Sequence, residues 1–388
     1  MPAGVNMEFT FWFSLIVFLF SLNGAIRIVV GRRKIVRLSD VTPVRATNAL
    51  RVSIIFSALN EAETIEPALR SMLALDYTNL EIIAINDRST DATGAILDRI
   101  SREHPVLRVL HITELPAGWL GKNHALHQGA AIATGTYLLF TDADVLFDPT
   151  AISRAVARCE QERLDHLVVL ADLIVRQNLL AMLLLNGYVF MYSRHRPWKV
   201  RTSKKHHMGM GAFNMVRTSA YRQAGGHRAL ALEVVDDIML GKLMKLQGHS
   251  QEVLHAAGMV TVEWYRNAYE MMKGLEKNSL AMLDYQAARL LPLSVLILAL
   301  RYWPWIGLFT TGGAAWWLNL ASLVVGLSMF VDLLRSTPWS RWCLLYWPVV
   351  GLASLFIIWR GVVLTLMRDG INWRGTHYAL SELKRNHH

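Results

Sequence analysis

Hydrophobic residues make up 53% of the 388-residue chain and charged residues only 18%, with a mean hydropathy of +0.27. These proportions exclude a disordered chain and an all-soluble protein, and the length leaves room for two or three units, some of them in a membrane. The net charge of +10 suits anionic lipid or a phosphorylated substrate, whereas no basic run interleaved with aromatics stands in a polar region, so nucleic acid is set aside as a partner.

Phe9 to Ile26 is uncharged and, extended by Ile28 to Val30, is long enough to span a bilayer. Glu8 precedes it, and Arg27, Arg32, Arg33, Lys34 and Arg37 follow. A signal peptide carries its positive charge before the apolar run, so residues 1–45 read as an uncleaved anchor and basic linker. The positive-inside rule then puts the next domain in the cytoplasm, as in a bacterial inner membrane.

Residues 46–265 have the texture of an α/β domain. Val52 to Ser57, Leu80 to Ile85, Leu107 to His111 and Tyr137 to Phe140 read as strands. Between them Glu61 to Ala74, Asp91 to Ile100 and Lys122 to Ile132 carry helical periodicity. Such alternation predicts a mostly parallel sheet covered on both faces, with the ligand site at the carboxyl ends of its strands. Cys159 and Cys343, the only cysteines, imply neither a disulfide framework nor a thiolate metal site.

Residues 266–289 predict an interfacial connector helix, with Lys273 and Lys277 among apolar positions. Residues 290–367 contain Leu290 to Leu300, Tyr302 to Val331 and Trp342 to Trp359, enough for two to three spans. Arg301 is awkward at mid-bilayer and fits an interface or a cavity. The basic tail, 368–388, carries Arg368, Arg374, Lys384 and Arg385 and favours the cytoplasm. Three spans would leave it outside, so one segment lying along the interface would reconcile the two.

The polar residues after the strands are the candidates for chemistry. Asn60 and Glu61 follow the first strand and Asp87 the second; each can accept from a nucleobase N–H or a ribose hydroxyl. Asn, Asp and Ser also cap helices and shape turns, the role expected of Asp91. Gly118 to Lys122 opens a helix without the P-loop spacing; its glycines admit backbone N–H groups to phosphate and Lys122 adds a charge. Asp142 and Asp144 leave the end of a buried strand one residue apart. A plain turn is the alternative, but two such carboxylates repel unless a cation lies between them, and their hard oxygens suit Mg²⁺ or Mn²⁺. Gly209, Gly211 and the Gly225-Gly226-His227 segment are small enough to wall an acceptor channel. Asp236 and Asp237 start a helix, where acids compensate the dipole or act as a general base. The histidines fall into no metal-ligand spacing, and His206-His207 beside Lys204-Lys205 reads as a solvated basic loop.

Taken in order, Asn60-Glu61, Asn86-Asp87-Arg88-Ser89, Gly118-Trp119-Leu120-Gly121-Lys122, Asp142-Ala143-Asp144, Gly225-Gly226-His227 and Asp236-Asp237 resemble the family 2 glycosyltransferases of GT-A fold, over roughly residues 50 to 280. Trp264-Tyr265-Arg266, Gly274 and Lys277-Asn278 are similar to the branch of hopanoid-associated, carotenoid and ceramide glycosyltransferases. The resemblance implies a Rossmann-like mixed sheet, a UDP- or GDP-sugar donor, a divalent cation and inverting transfer to a lipid acceptor. It implies that Asp87, with Asn60 and Glu61, contacts the base, that Gly121 and Lys122 lie near the nucleotide, and that Asp142 meets the ribose or sugar. Asp144 would hold the cation, and Asp237, beside Asp236, would be the catalytic base. The Gln-x-x-Arg-Trp motif of processive synthases is replaced by Val262 to Asn267, where Arg266 would reach the diphosphate and Trp264 would stack on an acceptor. That departure favours single-sugar transfer over a polysaccharide synthase. A non-catalytic scaffold would be expected to have lost the strand-tip acids, and a transporter to place ionisable groups within its spans.

Overall fold

The computed structural model describes residues 7–44 and 50–385. They fall into two compact units. One comprises Met1–Lys34, Val175–Arg196 and Tyr265–Arg368, the other Ile35–Ile174, Pro197–Trp264 and Asp369–His388.

In chain order the helical unit begins with α1 (Met7–Arg32), and the α/β unit, hereafter the catalytic unit after the site described below, follows with β1 (Val52–Ala58), α2 (Ile65–Leu73), β2 (Leu80–Asp87) and α3 (Thr93–Glu103). Next come β3 (Leu107–Ile112), α4 (Gly121–Ile132), β4 (Tyr137–Asp142), β5 (Leu146–Phe147) and α5 (Ala151–Glu162). Then follow β6 (His166–Leu170), β7 (Asp172–Leu173), α6 (Asn178–His195), β8 (Asn214–Arg217), α7 (Thr218–Gln223) and α8 (Gly226–Ala229). The order continues through α9 (Asp236–Leu246), β9 (Gln251–His255), β10 (Val260–Val262), α10 (Ala268–Ala281), α11 (Leu290–Thr310), α12 (Gly313–Leu334) and α13 (Val350–Met367). It ends with β11 (Gly370–Trp373), β12 (Thr376–Ala379) and α14 (Leu380–Arg385).

The main sheet runs β3-β2-β1-β4-β8-β6-β9. All neighbours are parallel except β8, which is antiparallel to both β4 and β6. Every residue of β1 is buried, as the uninterrupted apolar run predicts for a strand covered on both faces. Alternate side chains serve two cores: Ile54 and Phe56 pack with Leu69 and Leu97 on one side, while Ile55 packs with Ile83, Ala125 and Leu126 on the other. Helices α2 and α3 each bury a stripe spaced by three and four residues, Ile65, Ala68, Leu69, Met72 and Thr93, Leu97, Ile100. The strand order reverses between β1 and β4, and the crevice beyond their carboxyl ends is where such sheets bind ligand.

Helices α1, Ala287–Thr310, α12 and α13 are long and apolar enough to cross a membrane. Within the helical unit α1 packs on α12, with Trp303 Nε1 and Asn319 Nδ2 each donating to Ser14 Oγ at 3.0 Å. Arg301 turns inward, donating to Asn186 Oδ1 at 3.3 Å and to the Trp347 carbonyl at 3.1 Å. Helix α10 occupies the expected connector and packs against α13, where Glu276 pairs with Arg360.

Two segments fall differently from the sequence-based boundaries. Helix α6 lies within the range read as α/β domain but groups with the apolar helices, because its first half, Leu179 to Leu185, is an unbroken apolar run with no polar face. Residues 369–385, read as a basic tail, form a β-hairpin and a short helix within the catalytic unit.

Candidate active site

The strand tips gather the acids that the spacing singles out. In the parallel register Ser57 of β1 lies opposite Asp142 of β4, at the point where strand order reverses. Asp142 ends β4, and beyond it Ala143 is buried while Asp144 is half-buried, close enough to Asp142 and Glu61 to feel their charges. Burial first, then the charges of Asp142 and Glu61, push the Asp144 carboxyl up to about 7. An acid so disfavoured in its charged form is relieved by a divalent cation, and the donor set is all hard oxygen, so these residues fit Mg²⁺ or Mn²⁺. Among the described residues no three His, Cys, Asp or Glu side chains converge to enclose an ion by themselves.

Lys122, in the first turn of α4, occupies the centre. Its Nζ is 2.7 Å from Asp142 Oδ1 and 3.9 Å from Asp236 Oδ2. Burial alone would lower the ammonium, but Asp142, Asp236 and Asp237 outweigh it and hold its pKa above the ordinary lysine value. Lys122 therefore links the acids of β4 to the acids of α9, a contact that spacing in the sequence did not reveal. Lys122, Thr141, Asn214, His227, Asp236 and Asp237 line one cleft there.

Asp236 is buried, whereas Asp237 is partly open. Asp237 Oδ1 accepts from the Ile238 N–H at 2.8 Å, which leaves Oδ2 for an acceptor. The helix is set against the loop before β8 by glycines. A Cβ on Gly209 would lie 1.7 Å from the Asp237 carbonyl oxygen, and one on Gly211 would lie 2.6 Å from Asp142 Oδ2. The segment expected to wall an acceptor channel is thus threaded between the two acidic ends of the site.

His227, from the Gly-Gly-His segment, is buried and its pKa is pushed down to about 3, chiefly by burial. Its backbone N–H donates to the Tyr221 hydroxyl at 3.0 Å, and that hydroxyl meets Nδ1 at 2.9 Å.

At the nucleotide end Asp87 is fully buried at the end of β2. Arg88, at a positive φ of 60°, folds back and clamps it, Nε to Oδ1 at 2.7 Å and Nη2 to Oδ2 at 3.1 Å. Sequence reasoning missed Arg88; a cation directly after a strand-tip acid was the signal. Gly121 stands against this pair, where a Cβ would lie 2.7 Å from Asp87 Oδ2.

Asn60 and Glu61 also shape the loops. Asn60 Oδ1 accepts from the Thr90 N–H at 2.8 Å, pinning one strand-tip loop to the next. The Glu61 N–H donates to Thr93 Oγ1 at 2.8 Å, and its Oε2 accepts from Thr64 Oγ1 at 3.0 Å. Asp91 Oδ1 accepts from the Thr93 N–H at 2.9 Å, which shapes the turn into α3, while Ala92 and not Asp91 stands at the N-cap position expected of Asp91. Trp264 ends the middle stretch of the catalytic unit and is half exposed. Arg266 belongs to the helical unit, where its N–H donates to Glu270 Oε2 at 3.0 Å.

Comparison with known proteins agrees with this geometry. Residues 53–225 match the family model for glycosyl transferase family 2. The poly-beta-1,6-N-acetyl-D-glucosamine synthase of Staphylococcus epidermidis is 35% identical over 101 residues, 26% of this chain and 23% of that one. The probable glycosyltransferase YdaM of Bacillus subtilis is 36% identical over 96 residues, 24% of this chain and 23% of its own. The uncharacterized glycosyltransferase YibD of Escherichia coli is 31% identical over 127 residues, 33% and 36% of the two chains. The matched stretch covers between 23% and 36% of the length of these relatives. Among solved structures, the mannosyltransferase PcManGT of Pyrobaculum calidifontis, in complex with GDP-Man and Mn²⁺, shares the fold. Its TM-score is 0.54 at 18% identity, covering 92% of this chain and 99% of that one. The chain therefore shares the GT-A fold, and its residues 53–225 are similar to glycosyl transferase family 2.

Proposed function

We propose that the protein is a membrane-bound, inverting glycosyltransferase that moves a sugar from a nucleotide-diphospho-sugar to a lipid or lipid-linked acceptor. The observation that carries this reading is Lys122, whose Nζ lies 2.7 Å from Asp142 Oδ1 and 3.9 Å from Asp236 Oδ2, with Asp236 and Asp237 lining the cleft beside it. Acids at one end answer to a cation and a diphosphate, and acids at the other to an acceptor hydroxyl.

Asp144, with Asp142, would hold the divalent ion, which when bound neutralises charge on the departing diphosphate. Asp237 Oδ2 takes the proton from the acceptor hydroxyl as the new C–O bond forms on the face opposite the leaving group. Lys122 keeps Asp142 in place and offers positive charge between donor and base. Asp87, with Arg88, Glu61 and Gly121, forms the wall for the nucleotide. The four helices long and apolar enough to cross a membrane would anchor the enzyme, and α10 would guide a lipid acceptor.

The test is a screen of UDP- and GDP-sugars with membrane lipid extract and Mn²⁺ or Mg²⁺, reading products by mass. One lipid should gain one hexose-sized increment. A ladder of increments would instead support the processive reading that the partial similarity to a poly-N-acetylglucosamine synthase raises. Asp144→Ala and Asp237→Asn should each lose at least about a hundredfold in turnover while staying folded, in line with a lost metal ligand or general base. Full activity in both variants would sink these roles, and chelator-insensitive turnover would remove the metal alone.

A further inference from the structure

The hairpin β11–β12 belongs to the catalytic unit although all of α10–α13 separates it in sequence from the rest of that unit. It docks on the strand tips. Tyr378 is buried, and its hydroxyl accepts from the N–H of Gly121, the first amide of α4, at 3.3 Å. Arg374 Nη1 donates to Ser57 Oγ at 3.2 Å. Ser57 lies in register with Asp142, so the guanidinium reaches the row of the sheet that carries the first acid of the Asp-x-Asp pair.

Charge at this end of the site is unevenly matched. Asp87 is satisfied by Arg88, and Asp142 by Lys122. Arg374 is different: among the described residues it contacts the neutral Ser57 hydroxyl and the ring of its own neighbour Trp373, and no carboxylate. Its backbone is costly too. Trp373 and Thr376 pair across a two-residue loop in which Arg374 has a φ of 50° and Gly375 a φ of 79°. Tight loops of this kind favour Asn, Asp or Gly at the first position, and a long side chain held there against preference points to a job for its head group.

We propose that the C-terminal hairpin completes the donor site and that Arg374 binds the diphosphate of the nucleotide-sugar. This rests on the donor reading given above and adds to it a residue from beyond the matched family domain. A guanidinium offers a planar fork of donors to phosphate oxygens, and Ser57 holds it beside the crevice until the ligand replaces that contact. Because the hairpin follows the last apolar helix in sequence, the donor site is incomplete until the whole chain has been made.

The test uses the full-length protein in lipid nanodiscs with Mn²⁺, titrated with uridine diphosphate and guanosine diphosphate and, separately, with the uncharged nucleosides. Arg374→Gln should weaken binding of the preferred diphosphate by about 10- to 100-fold, the range of a lost charge-assisted contact, and change nucleoside binding by less than about threefold. Arg374→Lys should recover part of the loss, and in turnover assays the donor KM should rise more than kcat falls. Arg374 is half-buried at the tip of the turn and its neighbour Gly375 is exposed, so both changes should be tolerated; if the glutamine variant did not fold, the lysine variant carries the same comparison. Unaltered diphosphate binding would overturn the proposal. So would equal losses for diphosphate and nucleoside, since a merely structural hairpin would weaken both. A wild-type protein that binds neither diphosphate would bring down the donor reading itself, and this inference with it.

Discussion

At the scale of single residues, two glycines separate chemistry from stability. A methyl group on Gly211 would first meet the Asp142 carboxylate, the end of a side chain that can rotate away. Gly211→Ala should therefore leave the unfolding midpoint nearly unchanged, within about 1 kcal/mol, while cutting kcat/KM by about 10- to 100-fold through misplacement of that acid. A methyl group on Gly209 would meet the backbone of Asp237 at its carbonyl carbon and oxygen. Backbone cannot yield so cheaply, so Gly209→Ala should destabilise the unit by at least about 2 kcal/mol and lose activity as well. Equal thermal shifts in the two variants would contradict this division. The acids themselves were legible because strand ends in parallel sheets are where ligands bind. Arg88 and the central place of Lys122 were not, because side-chain direction at a tight turn depends on φ values that the sequence does not display.

At the scale of elements, β8 ties α9 to the sheet through a buried histidine. Asn214 Nδ2 donates to the Asp237 carbonyl at 3.3 Å, and its Oδ1 pairs with His166 Nε2. Gln251 Nε2 meets His166 Nδ1 on the other side, which fixes a neutral ring with its proton on Nε2. Burial pushes the pKa of His166 down to about 4 despite the raising effect of Asn214. Between the ordinary histidine value of about 6.5 and about 4, the unfolded chain binds a proton that the folded chain refuses, so stability rises with pH across that window. The contribution is intact above about 6.5, and at pH 5 it should be reduced by about 2 kcal/mol. His166→Gln keeps both hydrogen bonds without a titratable group, and its unfolding midpoint should fall less steeply from pH 7 to pH 5 than the wild type's. Parallel slopes would exclude His166 as a source of acid lability. Strands β1 to β4 were readable because both faces are buried and the apolar runs are unbroken. Strand β8 was not, since its four residues begin with Asn and end with Arg. The hairpin β11–β12 was hidden by its basic residues, although Arg374-Gly375 between Trp373 and Thr376 carried a two-residue turn signal.

At the scale of the whole molecule, the hairpin constrains how the chain crosses a bilayer. Tyr265–Arg368 separates the body of the catalytic unit from Asp369–His388, and both belong on one face because Tyr378 and Arg374 bond to Gly121 and Ser57. The number of crossings between them must be even, yet three helices there are long and apolar enough to cross. The pair α11 and α12 is joined by Thr311 and Gly312 alone, a connection short enough to send the chain out and straight back. Within the helical unit, Arg32 and Arg33 at the end of α1 both pair with Asp332 at the end of α12, so these two ends share a face. We predict from this parity that α13 is the segment that does not cross. At 18 residues it is the shortest of the four, and Arg360 and Gly361 on it lie against Glu276 and Ser279 of the connector α10. Single cysteines read this out, because Cys159 and Cys343 are buried. With a membrane-impermeant maleimide, Arg102→Cys and Glu382→Cys should label from the same face of sealed vesicles, and Thr311→Cys from the opposite face. Labelling of Glu382→Cys from the face opposite Arg102→Cys would mean that α13 crosses, and the docked hairpin could not then exist in the membrane-bound protein.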